Sequence, residues 1–300
     1  LEVCGGDQIM ADTLQLAVGG AAFGDNRHHR VEILCGDGGT GKSTFAETVG
    51  TALGTYSHVL PASVLNSRTD QHPTGIAGLV GKRFVTVPEV TGGTFRSETL
   101  KALSGEDSVS ARFMRQDFFT FHPVCSLWLL TNDPPAVGMV DQAVRRRFRI
   151  WPFDAQPDAP DPKLAERLQS PNILGGVLRW IVDGAACFDR LSGEFPDCEA
   201  VKRATAQYFE ENDTVGSWLA ARCETTEEAE TRAGVLFENY VKWCNMEGKN
   251  PVTRTAWGTY MGRRVRKRHT RRGNVYAIRI MGKRQFDLMR YTDAVNGVKG

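Results

Sequence analysis

Gly36, Asp37, Gly38, Gly39, Thr40, Gly41, Lys42 and Ser43 follow the pattern G-x-x-x-x-G-K-[ST], with Thr44 next in line. The chemistry such a run can do is to grip a triphosphate. Four glycines let the backbone turn its N–H groups inward where side chains would collide, and a helix starting after the loop sets its dipole beneath the phosphates. Lys42 would reach the β- and γ-phosphates of ATP, and the Ser43 hydroxyl would hold Mg²⁺. The motif needs a strand before it and a helix behind it. Val31, Ile33, Leu34 and Cys35 supply the first, and Phe45, Ala46, Val49 and Leu53, at helical spacing, supply the second. A glycine-rich turn ahead of an ordinary helix is the bland alternative, and the agreement of strand, loop, Lys-Ser pair and helix speaks against it.

Three further groups could complete a hydrolytic site. The run Arg83 to Val87 ends at Pro88-Glu89. An acid at a strand end beside a phosphate loop can ligate Mg²⁺ or orient water, the roles open to Glu89, with a solvated loop residue as the bland alternative. The apolar run ending Leu129-Leu130-Thr131 is followed by Asn132, whose amide could bond the γ-phosphate or the attacking water; alone, an Asn before Asp-Pro is a turn residue. Arg145, Arg146, Arg147 and Arg149 crowd ahead of Ile150-Trp151-Pro152-Phe153. An arginine there could reach a neighbouring subunit's γ-phosphate as a finger acting in trans, with Arg146 and Arg147 both open for the role. Surface ion pairs and nucleic-acid phosphate contacts are the other reading of that cluster.

Strand signals at 31–35, 56–60, 83–87, 125–131 and 147–151 alternate with helical signals near 42–53, 70–80, 96–104 and 139–146, which predicts a largely parallel three-layer α/β sheet. Residues 108–121 break the alternation and read as a hairpin turning at 115–117. A helix is expected over 7–19. A Pro- and Asp-rich connector follows Phe153, with helices over 163–191. A second unit is expected from Val201: helices over 201–211, 213–222, 231–246 and 254–265, a basic turn, and the strand VYAIRI, the outline of a winged helix. The expected divisions are 1–153 (core), 154–200 (helical connector), 201–282 (winged helix) and 283–300 (tail).

Composition is that of a soluble globular protein, with 24% charged residues. Seven cysteines without a CxxC pair are expected to be reduced thiols of a cytoplasmic protein, and six histidines without spaced acids exclude a zinc pattern. No apolar run is long enough for a membrane helix, so no membrane partner is expected. With no basic leader after Leu1 no signal peptide is expected, and the missing initiator Met is expected of a piece of a longer protein.

The order GDGGTGKS, KRFVTVPE, LKALSGEDSVSARFMRQDFFTFHP, LWLLTNDPP, DQAVRRRFRIWPF resembles the superfamily 3 helicases, in particular the helicase half of phage and plasmid primase–helicases. The likeness covers about residues 7–153, with a looser match of 201–280 to their winged-helix tails. It implies a P-loop AAA+-type ATPase, usually a hexameric ring, that translocates 3′ to 5′ on single-stranded DNA in the host cytoplasm, with a primase domain or replication proteins as partners. It makes Gly36 to Ser43 the Walker A loop, Glu89 Walker B and Asn132 the sensor. It puts Arg146 and Arg147 in the finger motif, and Lys101 and Asp107 in the segment leading to the DNA hairpin. Thr40 stands where many relatives have Asn, and Arg115 where they often have Lys; both changes keep the contact to phosphate.

DNA contact has its own physical argument. Arg112 and Arg115 near the hairpin tip would meet the backbone, and Phe113 or Phe118 could stack on bases, although alternation with polar residues favours hairpin core for the Phe residues. In the tail, Arg254 on a candidate recognition helix and Arg266, Lys267 and Arg268 in the basic run would meet duplex DNA, the other readings being a solvated wing or a docking surface for a replication protein. Tyr240 and Trp243 share helical spacing with Leu236 and Val241 and read as core. The function expected from these features together is that of an ATP-dependent DNA helicase. Its rivals are an ATP-switched origin-binding or loader module and a small-molecule kinase, which would need an acceptor pocket and lid in place of hairpin and winged helix.

Overall fold

The structure, a computed structural model, describes residues 1–24, 26–66, 73–88, 97–105, 107–133, 142–157, 159–226, 229–271 and 273–281. The chain divides into two compact units, Leu1–Phe209 and Glu210–Gly300. The first half of unit one runs α1 (Gln8–Phe23), β1 (Val31–Cys35), α2 (Lys42–Leu53), β2 (Ser57–Val59), α3 (Ala62–Asn66), α4 (Pro73–Ala77), β3 (Phe84–Val87) and α5 (Ser97–Ser104). It continues with β4 (Val109–Ala111), β5 (Phe119–Phe121), β6 (Ser126–Thr131), α6 (Gln142–Arg145), β7 (Phe148–Pro152), α7 (Leu164–Leu168), α8 (Pro171–Arg190) and α9 (Glu199–Asn212).

Five strands pair in the order β2-β3-β6-β1-β7, each with its neighbour in parallel. The chain leaves β1 for the edge at β2, returns through β3 and β6, and then crosses to β7 on β1's other flank. Period-2 patterning splits the side chains between two cores. Val31, Ile33, Val85, Val87, Leu127, Leu129, Phe148 and Ile150 pack with Leu65, Ile76, Leu100 and Phe209 on one face. Leu34, Phe84, Trp128, Leu130 and Trp151 pack with Met10, Leu14, Val49 and Ile181 on the other. This is the expected α/β layering.

On the second face α1 and α8 cross at backbone contact. A Cβ on Gly19 would lie 2.2 Å from the Gly184 carbonyl carbon, so glycine is required where the two helices meet. Asp7 caps α1 by accepting from the Met10 N–H at 2.9 Å.

β1 and β7 are also joined by buried charge. Register places Glu32 beside Arg149, and Arg149 Nη2 stands 3.1 Å from Glu32 Oε1, close in charge but off the angle of a hydrogen bond. Trp151 Nε1 donates to Glu32 Oε2 at 2.7 Å, and the guanidinium lies 3.8 Å from the Phe195 ring centre. Burial pulls Arg149 below its ordinary range while Glu32 opposes that shift. One arginine of the basic cluster is therefore a structural pin.

Unit two contains α10 (Thr214–Arg222), β8 (Cys223–Thr225), β9 (Thr231–Arg232), α11 (Ala233–Met246), α12 (Arg254–Arg264), β10 (Lys267–Thr270), β11 (Gly273–Tyr276) and β12 (Ile278–Ile280). Trp218, Leu236, Tyr240, Trp257, Met261 and Tyr276 form its core, with Trp243 also buried, as the helical spacing predicts. The Asp213 carboxylate caps α10 through the Gly216 N–H and accepts from Tyr260 Oη at 2.6 Å.

Three expectations change. The expected start at Val201 gives way to Glu210, because Tyr208 and Phe209 pack into the first core beside Phe148. Part of the expected basic turn is a strand, β10, in a three-stranded sheet ordered β10-β11-β9. VYAIRI is two strands: β11 joins that sheet, while β12 pairs with β8.

Glu32→Ala would leave the Arg149 guanidinium buried beside no carboxylate of its own register. It is expected to cost about 3–5 kcal/mol, read as a lowered midpoint of the first unit's thermal transition, with a smaller loss for Glu32→Gln.

Candidate functional site

Parallel pairing sets Cys35 opposite both Thr131 and Pro152, so β1, β6 and β7 end level. Gly36, Asn132 and Phe153, the residues that follow, gather at this carboxyl edge. It is also where the strand order reverses, the usual place for a ligand on an open α/β sheet. The Phe153 N–H donates to the Cys35 carbonyl at 2.6 Å, holding the end of β7 against the start of the loop.

Residues 36–41 then loop over that edge into α2. Gly36 has φ 154°, and a Cβ there would sit 2.0 Å from the Phe153 carbonyl oxygen. Gly38 differs: nothing in the protein lies within 4 Å of where its Cβ would be, so the collision expected from the sequence does not occur inside the chain at this position. Gly41, at φ 88°, leads into α2, whose first turn carries no side-chain cap. Those leading N–H groups are the orphan donors of a helix start. Phe45, in the first turn, packs its ring 5.8 Å from that of Phe153, tying the helix to β7.

Lys42 opens α2 and is only 7% exposed. Its Nζ donates to the carbonyls of Gly36 at 2.6 Å and Asp37 at 2.8 Å, with Thr40 Oγ1 at 3.4 Å. Burial pulls its ammonium below the ordinary lysine range, with Cys35 and Asp37 acting the other way. Thr40 is buried and donates to the Asp37 carbonyl, closing the turn from within. Ser43 is exposed and Thr44 half-buried. The arrangement sets one buried ammonium beside the uncapped first turn of α2 at the same edge, a setting that suits an anion.

Asn132 is exposed at the end of β6. Two residues that the sequence reading passed over frame it. Cys35 Sγ donates to the Asn132 carbonyl at 3.4 Å, and Asp154 carries a charge felt at that thiol. The signal available in advance was register, since parallel strands paired up to their last residues bring their ends together. Glu89 lies outside the described residues, and among those described no three His, Cys, Asp or Glu side chains are grouped to hold a metal.

The arginines sit elsewhere. Arg146 and Arg147 precede β7, at the amino edge, roughly 16 Å of strand away from the carboxyl edge. Arg147 is 7% exposed, whereas Arg146 is exposed. The β4–β5 hairpin rises from that same amino edge, between α5 and the start of β6. Its tip residue Arg115 has φ 62°, and Arg112 lies 4.9 Å from the Phe118 ring centre. Phe119 and Phe121 are the half-buried aromatics; Phe113 at 43%, Met114 at 76% and Phe118 at 60% are exposed, although Phe113 stacks on Phe119. The hairpin-core reading favoured for Phe113 and Phe118 therefore does not hold: both are exposed, and the half-buried positions of the hairpin belong to Phe119 and Phe121. Lys101 is half-buried in the last turn of α5 and Asp107 is exposed. Asn26 secures the root of the hairpin by donating to the carbonyls of Ser104 and Cys125, both at 3.1 Å.

In unit two, α11, α12 and the β10–β11 ribbon enclose an open groove of about 800 Å³, with Arg232, Arg254 and Lys267 among its walls. Arg266 is exposed outside that lining, and Arg268 is paired with Glu230 at 2.6 Å.

A family profile described as a family of unknown function, DUF5906, matches residues 34–147. No curated protein matches. Among solved structures, the A form apo structure of the NrS-1 C terminal region is similar, at 12% identity and TM-score 0.49, covering 91% of this chain and 75% of that one. Another apo structure of the same region gives 12% identity and TM-score 0.48, covering 94% and 74%. No helix among the described residues is long and apolar enough to cross a membrane.

Gly36→Ala is expected to destabilise the first unit by about 1–3 kcal/mol, because the new methyl meets fixed backbone. Gly38→Ala should leave the melting temperature where it is. Thermal unfolding of the two variants side by side checks the contrast.

Proposed function

We propose that unit one is a P-loop ATPase core of the superfamily 3, AAA+ type, and that the chain is the motor part of a DNA helicase serving phage, plasmid or mobile-element replication. The observation that carries this reading is the glycine loop itself: it joins β1 to an uncapped helix at the switch point of a parallel sheet, with Lys42 folded against its carbonyls. ATP is the substrate the loop fits. The amides of residues 38–44 would surround its phosphates, and Lys42 would exchange the Gly36 and Asp37 carbonyls for phosphate oxygens. The exposed Ser43 hydroxyl, with Glu89, would hold Mg²⁺, which when bound neutralises phosphate charge. Glu89 would also orient water, and Asn132, level with the loop, would bond the terminal phosphate.

The two-edge layout bears on the arginines. A guanidinium at the amino edge lies too far from its own loop, so a finger there serves the next subunit, and the site is complete only in an oligomer, for which we propose a ring. Arg146, exposed, is the finger; Arg147, buried beside Gly105, supports it. Arg112 and Arg115, with Phe118 and the approach through Lys101, would grip single-stranded DNA. The winged-helix reading of unit two gives duplex contact through Arg254, Arg266, Lys267 and Arg268.

A second reading, an ATP-switched loader that binds DNA without unwinding it, is favoured by the cationic groove of unit two. Strand displacement with and without ATP separates the two; ATPase unaffected by single-stranded DNA, without displacement, sinks the motor.

Lys42→Ala should lower ATP turnover at least about a hundredfold while the protein stays folded. Gly38→Ala should weaken nucleotide binding with no loss of stability, because only a ligand needs that space. Arg146→Ala, inactive alone, should regain turnover when mixed with Lys42→Ala, measured by phosphate release; no recovery means the finger does not act across subunits.

A further inference from the structure

Asn132 sits where the sheet's hydrogen-bond ladder stops. Thr131 is the last residue of β6 paired with β1, so no strand partner fixes the main chain of 132–133. Two side chains take over. The Cys35 thiol reaches across from β1 to the Asn132 carbonyl at 3.4 Å, and the Thr131 hydroxyl donates to the Asp133 carbonyl. Cys35 is anchored in turn, since its own carbonyl accepts the Phe153 N–H at 2.6 Å. The thiol can donate only while protonated. Burial first, and then the Asp154 charge, push its titration up to about 11, so it keeps its proton at neutral pH.

We propose that Cys35 is a positioning residue: its thiol, with the Thr131 hydroxyl, fixes Asn132 beside the glycine loop and so sets the reach of the Asn132 amide to the terminal phosphate. This rests on the reading of the loop as an ATP site and deepens it. A thiol is a weak donor, so the tether trims turnover rather than abolishing it. It also links the loop to the end of β6 through one bond, so a shift of either segment is felt by the other.

The test has two arms. In hydrogen–deuterium exchange on the nucleotide-free full chain, Cys35→Ala and Cys35→Val should speed exchange of the peptide holding residues 131–133 by about three- to tenfold, while Cys35→Ser, which keeps a donor, stays near wild type. In ATP hydrolysis the Ala and Val variants should lose about three- to tenfold in kcat with KM for ATP within about twofold, and Ser should restore most of it. Adding Cys35→Ala to Asn132→Ala should cost nothing further, since the tether acts only through Asn132. Unchanged exchange in Ala and Val, a Ser variant as impaired as Ala, or KM rising together with the fall in kcat would each overturn the proposal. An inactive wild type would instead overturn the ATPase reading, and the exchange arm would still decide whether the thiol holds the segment.

Discussion

Parallel pairing of β1 between β6 and β7 is the constraint on which the rest depends. Because the three strands stop together, the residues after each end are delivered to one edge without needing contacts of their own. Backbone ladders fix this alignment, and side chains then lock it. A one-residue slip of β7 would send Phe148 and Ile150 to the wrong face and separate Glu32 from Arg149. The buried ion pair therefore acts as a register pin more than as a source of net stability, since desolvation consumes most of its Coulomb attraction. The same pin keeps the Phe153 carbonyl against Gly36, so the shape of the glycine loop is set in part by a strand that follows it by more than a hundred residues.

The sheet also sorts charge by direction. Amides and Lys42 lie at the carboxyl edge, while Arg146, Arg147 and the hairpin arginines lie at the amino edge. A strand of five residues is too long for one side chain to cross. On the proposed reading, this separation makes hydrolysis a property of assembled subunits, with the hairpin on the same edge as the finger, so that a movement at the neighbour's phosphate and a movement on DNA share one rigid boundary. Asn26 belongs to this logic, because its amide joins the two chain segments from which the hairpin rises.

Much of this was legible in the chain. Strand and helix signals fell where the five parallel strands, α2 and the hairpin are, because apolar period and glycine placement are local properties. The site's inner wiring was less so. Nothing local marks Cys35 as a donor to Asn132 or places Phe153 over Gly36; both depend on register between segments far apart in sequence. The arginine cluster shows the same limit. Its density announced a role, but only tertiary burial separates Arg149 as a pin, Arg147 as an inward side chain and Arg146 as the exposed one. In unit two, aromatic spacing located the core, whereas the break at Ala277 escaped notice because apolar alternation continues through it while the pairing partner changes from β10 and β9 to β8.

The closed pose of Lys42 carries the last step. An ammonium pulled from water and held by two carbonyls and a hydroxyl has exchanged solvation for dipoles, and burial makes its charge costlier, as the direction of its shift records. A phosphate oxygen offers that ammonium a full opposing charge, and charge-assisted bonds are about twice as strong as bonds between neutral partners. On the proposed reading, nucleotide entry would thus let Lys42 leave the Gly36 and Asp37 carbonyls for phosphate oxygens and relieve the cost that burial sets on its charge. Gly36 cannot move to accommodate this change, being wedged under Phe153, whereas Gly38 has open space around it. On that reading the backbone adjustment comes from the tip of the loop, over 37–40, while the Gly36 carbonyl keeps its place at the sheet edge as Lys42 swings away from it.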